Sequence, residues 1–485
     1  MQNTVLIEIL NTLNKDELNH FEDFILSPFH NKKTPVIKLF NVIKKYYPGF
    51  RDIAIQRENI WGKIFPGKDY NYGVMKNLIY DLTRLSEEFI SHFEYDKDVQ
   101  RKKLRIINFF YRKNNYGLSL KYLDKIKDKT SGLSDSDPDS YLNLYNLEKI
   151  RTSILYSKIS DKHSVFSGSE FDMTSKYILE GFLVTILENY VKINGLNKIH
   201  NSEIKMPMLP EVLNFIKTNQ NFTGNIFIKT YYYILLLDLE QNMKYYFDLK
   251  NILSETDSET NTQFSYMLWE NISNHIAFRY HKGDTEMLKE IFELNKLALE
   301  KKIYFAEEGE NFFVLNFTTF INVATNLKEI EWAENFVKEY SCKLDETVRE
   351  DVKNFCLSGI SILKQDFTEA NEFLSKVKKL HEPHMKANLK LNMLIIYYEL
   401  GWYESSINVI DSFKHLLKSE KNFQEVIKEK YRKFIRGYSM LIDLKSKNDI
   451  KSRMKLEKFL LESDGTASVN WLKRKAKLEG IFVKV

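Results

Sequence analysis

Few residues in this 485-residue chain have the type and spacing to do chemistry. His381-Glu382-Pro383-His384 holds the only close histidine pair. Two zinc ligands on one helix need i, i+4 spacing with helix between them, and Pro383 makes this segment a helix start instead. No third ligand stands nearby in sequence, so the expectation is a capping turn with no metal and no cofactor. Cys342 and Cys356 are the only cysteines and form no Cys-x-x-Cys. Cys356 lies between Phe355 and Leu357 on an apolar face and reads as a buried structural thiol. The glycine-rich cradles that hold phosphates, Gly-x4-Gly-Lys-Ser/Thr and Gly-x-Gly-x-x-Gly after a strand, are absent. Phe166-Ser167-Gly168-Ser169 is not a nucleophile elbow and reads as a turn, with Ser169 capping the next helix. These patterns predict no enzyme.

Two polar sets remain as candidate binding groups. Asn388 and Asn392 fall one helical turn apart, where they could read polar groups of a partner. The second set is basic. Residues 411–485 hold 19 Lys and Arg against 10 Asp and Glu, a balance of +9, which leaves −4 for residues 1–410 of a chain whose formal charge is +5. The densest parts are Lys473-Arg474-Lys475-Ala476-Lys477 and Arg101-Lys102-Lys103-Leu104-Arg105. Either could meet phosphates or an acidic protein, and a solvated lysine face is the plainer reading. Asn59–Ile64 followed by Tyr70–His92 has a helix–turn–helix outline. Its second segment sets Lys76 and Arg84 against Asp81, Glu87 and Glu88, a poor surface for a DNA groove.

The elements that must carry these residues are helices. Glycine (17) and proline (8) are scarce and 43% of residues are hydrophobic, which argues against disorder and turn-rich β folds. Apolar residues recur at three- and four-residue spacing, as in Leu6, Ile9, Leu13 and Leu18, Phe21, Ile25. Asn14-Lys15-Asp16-Glu17 has the form of a capping box, and Pro35 stands where a helix starts. Helices are expected at 4–12, 15–26, 35–47, 57–64, 71–93, 99–113 and 118–127. The clearest break is Thr130–Asp139, with lesser ones at 160–170, 194–210, 254–262 and 305–310. The longest apolar stretch, Tyr231–Leu237, is far short of a membrane span. The first eight residues show no export signal and two cysteines make no disulfide framework, so a soluble, cytoplasmic protein is expected.

A period emerges towards the C-terminus. Trp332-Ala333-Glu334-Asn335, Phe367-Thr368-Glu369-Ala370 and Trp402-Tyr403-Glu404-Ser405 start 35 residues apart, each after a long apolar helix and a tight turn. An aromatic at the turn would wedge between paired helices, and the small residue would let them approach. Asp284-Thr285-Glu286-Met287 and Tyr116-Gly117-Leu118-Ser119 look like weaker copies. The pattern resembles a tetratricopeptide-type repeat, whose second helix opens with aromatic-x-Glu-Ala. Phe367-Thr368-Glu369-Ala370 fits fully, with Ser358-Gly359 as the small pair on its first helix, and Met393-Leu394 departs from the pattern. The opening module carries a second likeness. Phe24-Ile25-Leu26-Ser27-Pro28-Phe29-His30-Asn31, Ile64-Phe65-Pro66-Gly67-Lys68-Asp69-Tyr70 and Asp81-Leu82-Thr83-Arg84-Leu85 are similar to a group of bacterial helical-repeat proteins with no assigned activity.

Together these likenesses imply an all-α fold, an α-α superhelix of tetratricopeptide-like hairpins. Its expected parts are an N-terminal helical module (1–129), the α-solenoid (139–462) and a C-terminal capping helix with basic tail (463–485). Such arrays hold partners on an extended inner surface. The expected role is a non-enzymatic protein–protein interaction scaffold that takes a peptide or helix in its groove. Asn388, Asn392, Lys473, Arg474, Lys475 and Lys477 are its candidate contacts. The alternative is a nucleic-acid-associated regulator that grips phosphates through the basic C-terminal region.

Overall fold

The computed structural model describes residues 4–50, 55–127, 138–158, 169–200, 202–257, 262–305, 311–420, 423, 425–447, 449–462 and 466–481. Residues 128–137 and 159–168, where the sequence places its clearest break and the Ser167-Gly168 turn, lie outside that set. Among the described residues there are 23 α-helices and no strand. The chain divides into two compact units, Met1–Asn189 and Tyr190–Val485.

In the first unit, α1 (Val5–Thr12), α2 (Lys15–Leu26) and α3 (Thr34–Ile43) pack on the long α5 (Tyr72–Lys97), with α4 (Arg57–Ile64) beside α3. The capping box at the start of α2 is realised. Asn14 Oδ1 accepts from the amides of Asp16 and Glu17 at 2.9 and 3.0 Å, and the Glu17 carboxylate accepts from the Asn14 amide at 3.0 Å. Helix α3 begins at Thr34, one residue before the expected start, and Pro35 sits in the first turn where its missing N–H leaves no bond unmade. Phe21 is held between Phe40 and Phe89, ring centroids 5.2 Å away on each side, at the centre of this bundle. A smaller core of Ile107, Leu123, Ile150 and Ile154 joins α6 (Val99–Arg112), α7 (Tyr116–Lys127) and α8 (Pro138–Lys158). Helix α9 (Ser169–His200) contains the boundary between the units.

The second unit is a succession of hairpins. After α10 (Leu209–Thr218) come the pairs α11 (Ile226–Glu240) and α12 (Met243–Glu255), α13 (Thr262–His281) and α14 (Met287–Glu300), and α15 (Val314–Asn326) and α16 (Ile330–Tyr340). They are followed by α17 (Arg349–Leu363) and α18 (Phe367–Lys376), α19 (Pro383–Glu399) and α20 (Tyr403–Ser419), α21 (Glu425–Lys447) and α22 (Ile450–Leu461), and finally α23 (Val469–Leu478). Each helix packs against its hairpin partner, and α12, α14, α16, α18 and α20 also pack against the first helix of the next pair. First helices touch one another directly, α11 with α13, α15 with α17 and α17 with α19.

Three consecutive turns share one geometry. Lys328, Gln365 and Gly401 are left-handed, with φ of 65°, 63° and 76°. The amide of the next residue bonds back to a carbonyl five residues earlier: Glu329 to Ala324 at 2.9 Å, Asp366 to Ser361 at 3.0 Å, Trp402 to Tyr397 at 2.7 Å. This is the Schellman ending of a helix, which satisfies its last carbonyls and starts the next helix within three residues. Asn114 (φ 56°), with the Asn115 amide bonded to the Phe110 carbonyl, repeats it in the first unit, where Tyr116-Gly117-Leu118-Ser119 looks like a weak copy.

These turns correct the repeat register. The left-handed residues are 37 and then 36 apart, where the aromatics gave an even 35. At these four turns the fifth residue after the left-handed one is small and fully buried: Ser119, Ala333, Ala370 and Ser406. Trp402 is therefore no wedge and is 45% exposed; Tyr403 takes that place, edge-on to Tyr398 at 5.5 Å. Of the three starts spaced 35 apart, only Phe367-Thr368-Glu369-Ala370 lies in the structural frame, which Tyr116-Gly117-Leu118-Ser119 shares, and the Ser358 hydroxyl donates to the Ala370 carbonyl at 2.8 Å.

The break expected at 194–210 starts later, because α9 runs on to His200. Asn194 and Lys198 both reach Asp238 of α11 and hold that last stretch of helix in place.

Candidate functional site

The first helices α15, α17 and α19 and the start of α23 enclose a cavity of about 320 Å³. Its walls come from equivalent positions of the three hairpins. Thr318, Phe355 and Leu391 each stand ten residues before the left-handed residue of their own turn, and Asn322, Gly359 and Ile395 each stand six before it. Cys356 and Asn392, nine before it, repeat the relation in two of the three. Ten and six differ by four, one helical turn, so one stripe of each first helix faces the same space.

Asn388 and Asn392 of the candidate set both line the cavity. The Asn388 carbonyl oxygen accepts from the Tyr431 hydroxyl at 2.7 Å, which fixes the amide's orientation. A Cβ placed on Gly359 would lie 3.9 Å from the Asn392 amide nitrogen and meet nothing closer, so Gly359 leaves real space beside it. Asn322, from a helix that the sequence did not single out, completes a set of three amides. Only the shared offset from the turn could have found it, and the 35-residue register hid that offset.

The basic set separates. Arg474 is exposed and lines the cavity with Trp471, three residues before it on α23, and Ser468, six before it and just ahead of the helix. Lys475 points elsewhere, into an ion pair with Glu399 of α19 whose two side chains are only 15% and 10% exposed. The Trp471 indole N–H donates to the other oxygen of Glu399 at 2.8 Å, and its ring stacks on Tyr438 at 6.1 Å and meets Tyr398 edge-on at 5.2 Å. The first turns of α23 are thereby fastened to α19 and α21. Gly437 makes room for this: a Cβ there would lie 2.7 Å from a Phe459 ring carbon and 2.9 Å from Leu472 Cδ1. Lys473 and Lys477 are half-buried and exposed, and neither borders the cavity. In the other basic run, Arg101 pairs with Asp98, Lys102 with Asp96, and Arg105 lies over the Tyr95 ring.

Cys356 is buried, and burial pushes its thiol far above the usual range. Pro383 starts α19 as expected, and His384 packs its ring on Phe423. Among the described residues no group of three His, Cys, Asp or Glu side chains is placed to hold a metal ion, and no helix is long and apolar enough to cross a membrane.

One buried polar cluster escaped the sequence reading. Asp238, at the end of the apolar stretch of α11, meets His275 Nδ1 at 3.0 Å together with Asn194 and Lys198. An ionised carboxylate only accepts, so the facing imidazole nitrogen carries the proton. Burial raises the Asp238 carboxyl, but the bonds from His275 and Lys198 outweigh it and hold it below the ordinary carboxylate value. His275 is 37 residues away in sequence, and no local spacing marks the pair.

No family model matches the chain, and no curated protein matches it either.

Proposed function

We propose that this chain is a non-enzymatic protein–protein interaction scaffold. Its Tyr190–Val485 unit is read as a tetratricopeptide-like superhelix that takes a peptide along its first helices. The observation that carries the reading is the repetition of the lining: three consecutive first helices give the same two positions to one cavity. Direct contact between first helices, with second helices joined through them, is what a hairpin array does when it curves towards its first-helix side. Amides of Asn322, Asn388 and Asn392 over an Ile, Leu and Phe floor suit an extended peptide. Main-chain groups find donors and acceptors, and side chains find apolar contact.

Gly359→Phe tests it. Replacing a helical glycine that has open space beside it should leave the fold intact while filling the cavity. Fluorescence anisotropy with labelled degenerate decapeptides should show binding to the wild-type chain and at least tenfold weaker binding to G359F, at equal thermal stability. Equal binding by both proteins, or none by the wild type, refutes the assignment.

A further inference from the structure

We infer that the segment taken by this cavity carries a carboxylate that seats against Arg474, which makes the partner an acidic peptide. The inference rests on the peptide-binding reading above and adds the chemistry of its anchor.

The cavity wall is electrically one-sided. Among the described residues that line it, Arg474 is the only charged side chain, and the other polar groups are amides, hydroxyls, the Cys356 thiol and the Trp471 indole. The guanidinium is exposed and has no ion-pair or hydrogen-bond partner among the described residues. The nearest sequence candidate for a partner on α19, Glu399, is already engaged by Lys475 and the Trp471 indole. Those same bonds hold the helical turn on which Arg474 stands, so the guanidinium is presented from a rigid support. Ser468, the residue before α23, also borders the cavity and turns the electropositive end of the helix towards it.

A planar guanidinium with free donors recognises a carboxylate through two parallel N–H···O bonds. At this cavity's size, such an anchor would fix one end of a short segment while the asparagines meet its main chain. The carboxylate can be a chain terminus or an Asp or Glu side chain, and the two sources can be told apart.

Four fluorescein-labelled decapeptide pools test this on the full chain by anisotropy. They are neutral side chains with a free C-terminal carboxylate; amidated with two Asp or Glu; amidated with Asn and Gln in their place; and amidated with two Lys. Wild type should bind one or both carboxylate pools at least tenfold more tightly than the neutral amidated pool, and the tighter one names the source. Arg474→Glu, at an exposed site, should abolish that preference without lowering the melting temperature, and Arg474→Lys should keep part of it. Equal binding of carboxylate and neutral pools, retention of the preference in R474E, or preference for the Lys pool overturns the anchor while leaving peptide binding standing. Failure of every pool on wild type overturns both readings.

Discussion

Asp238 shows how one side chain can be placed by tertiary contacts alone. Its depressed titration means that the folded chain favours the ionised form, so its contribution to stability is complete above the unfolded carboxyl value, about 3.9. That contribution fades as the pH falls through the lower folded value. Urea midpoints of the wild type should therefore drop below about pH 4 more steeply than those of Asp238→Asn, which lacks the titrating group. Near neutral pH the variant should be the less stable, since it leaves Lys198 and the imidazole with a weaker acceptor. The two cysteines should behave as their surroundings dictate. Cys342 is exposed and should react with a thiol reagent in the native chain, whereas Cys356 should react only after denaturation. One fast and one slow equivalent is the expected titration; two fast ones would mean that α17 opens. Lys475→Ala would leave Glu399 partly buried with only the indole as donor, at a cost of roughly 3 kcal/mol.

At the scale of elements, helix starts were legible because caps are local. The Asn14 box, Pro383 and the Phe367 start all depend on residues within four of one another. The repeat was legible as a kind and misread by one or two residues in frame. Aromatic residues stand out in a sequence, but the crossing of a hairpin is set by its turn, and Lys328 and Gln365 adopt a left-handed geometry that glycine usually marks. The corrected frame makes a sharp prediction. Ser406→Leu and Ala370→Leu should each cost about 1–3 kcal/mol, because both positions are fully buried at the crossing. Ser405→Leu, which lies at the position read from sequence and is exposed, should change stability by less than about 0.5 kcal/mol. Chemical denaturation of the three variants distinguishes the frames.

For the whole molecule, the sequence determined the helices, their amphipathic stripes and the hairpin habit, since each follows from residues close together in the chain. Tertiary structure decided which stripes share a space. Phe21, Phe40 and Phe89 form the centre of one unit, and the aromatic ladder around Trp471 closes the other. Phe21→Ala should destabilise the first unit by about 3–5 kcal/mol and leave peptide affinity in the second unchanged, with calorimetry and anisotropy read on the same protein. Asn388 and Asn392 could be noticed in sequence as a one-turn pair. Their meeting with Asn322 and Arg474 could not, because those residues stand 66 to 152 positions apart on different helices and only packing brings them to one wall. Charge density likewise fixed where cations are plentiful, while burial and a single glutamate decided that Lys475 is paired and that Arg474 borders the cavity. Short-range patterns are written in the chain because backbone hydrogen bonds are short-range; a cavity arises from sums of many weak packing contacts, and those exist only once the hairpins have stacked.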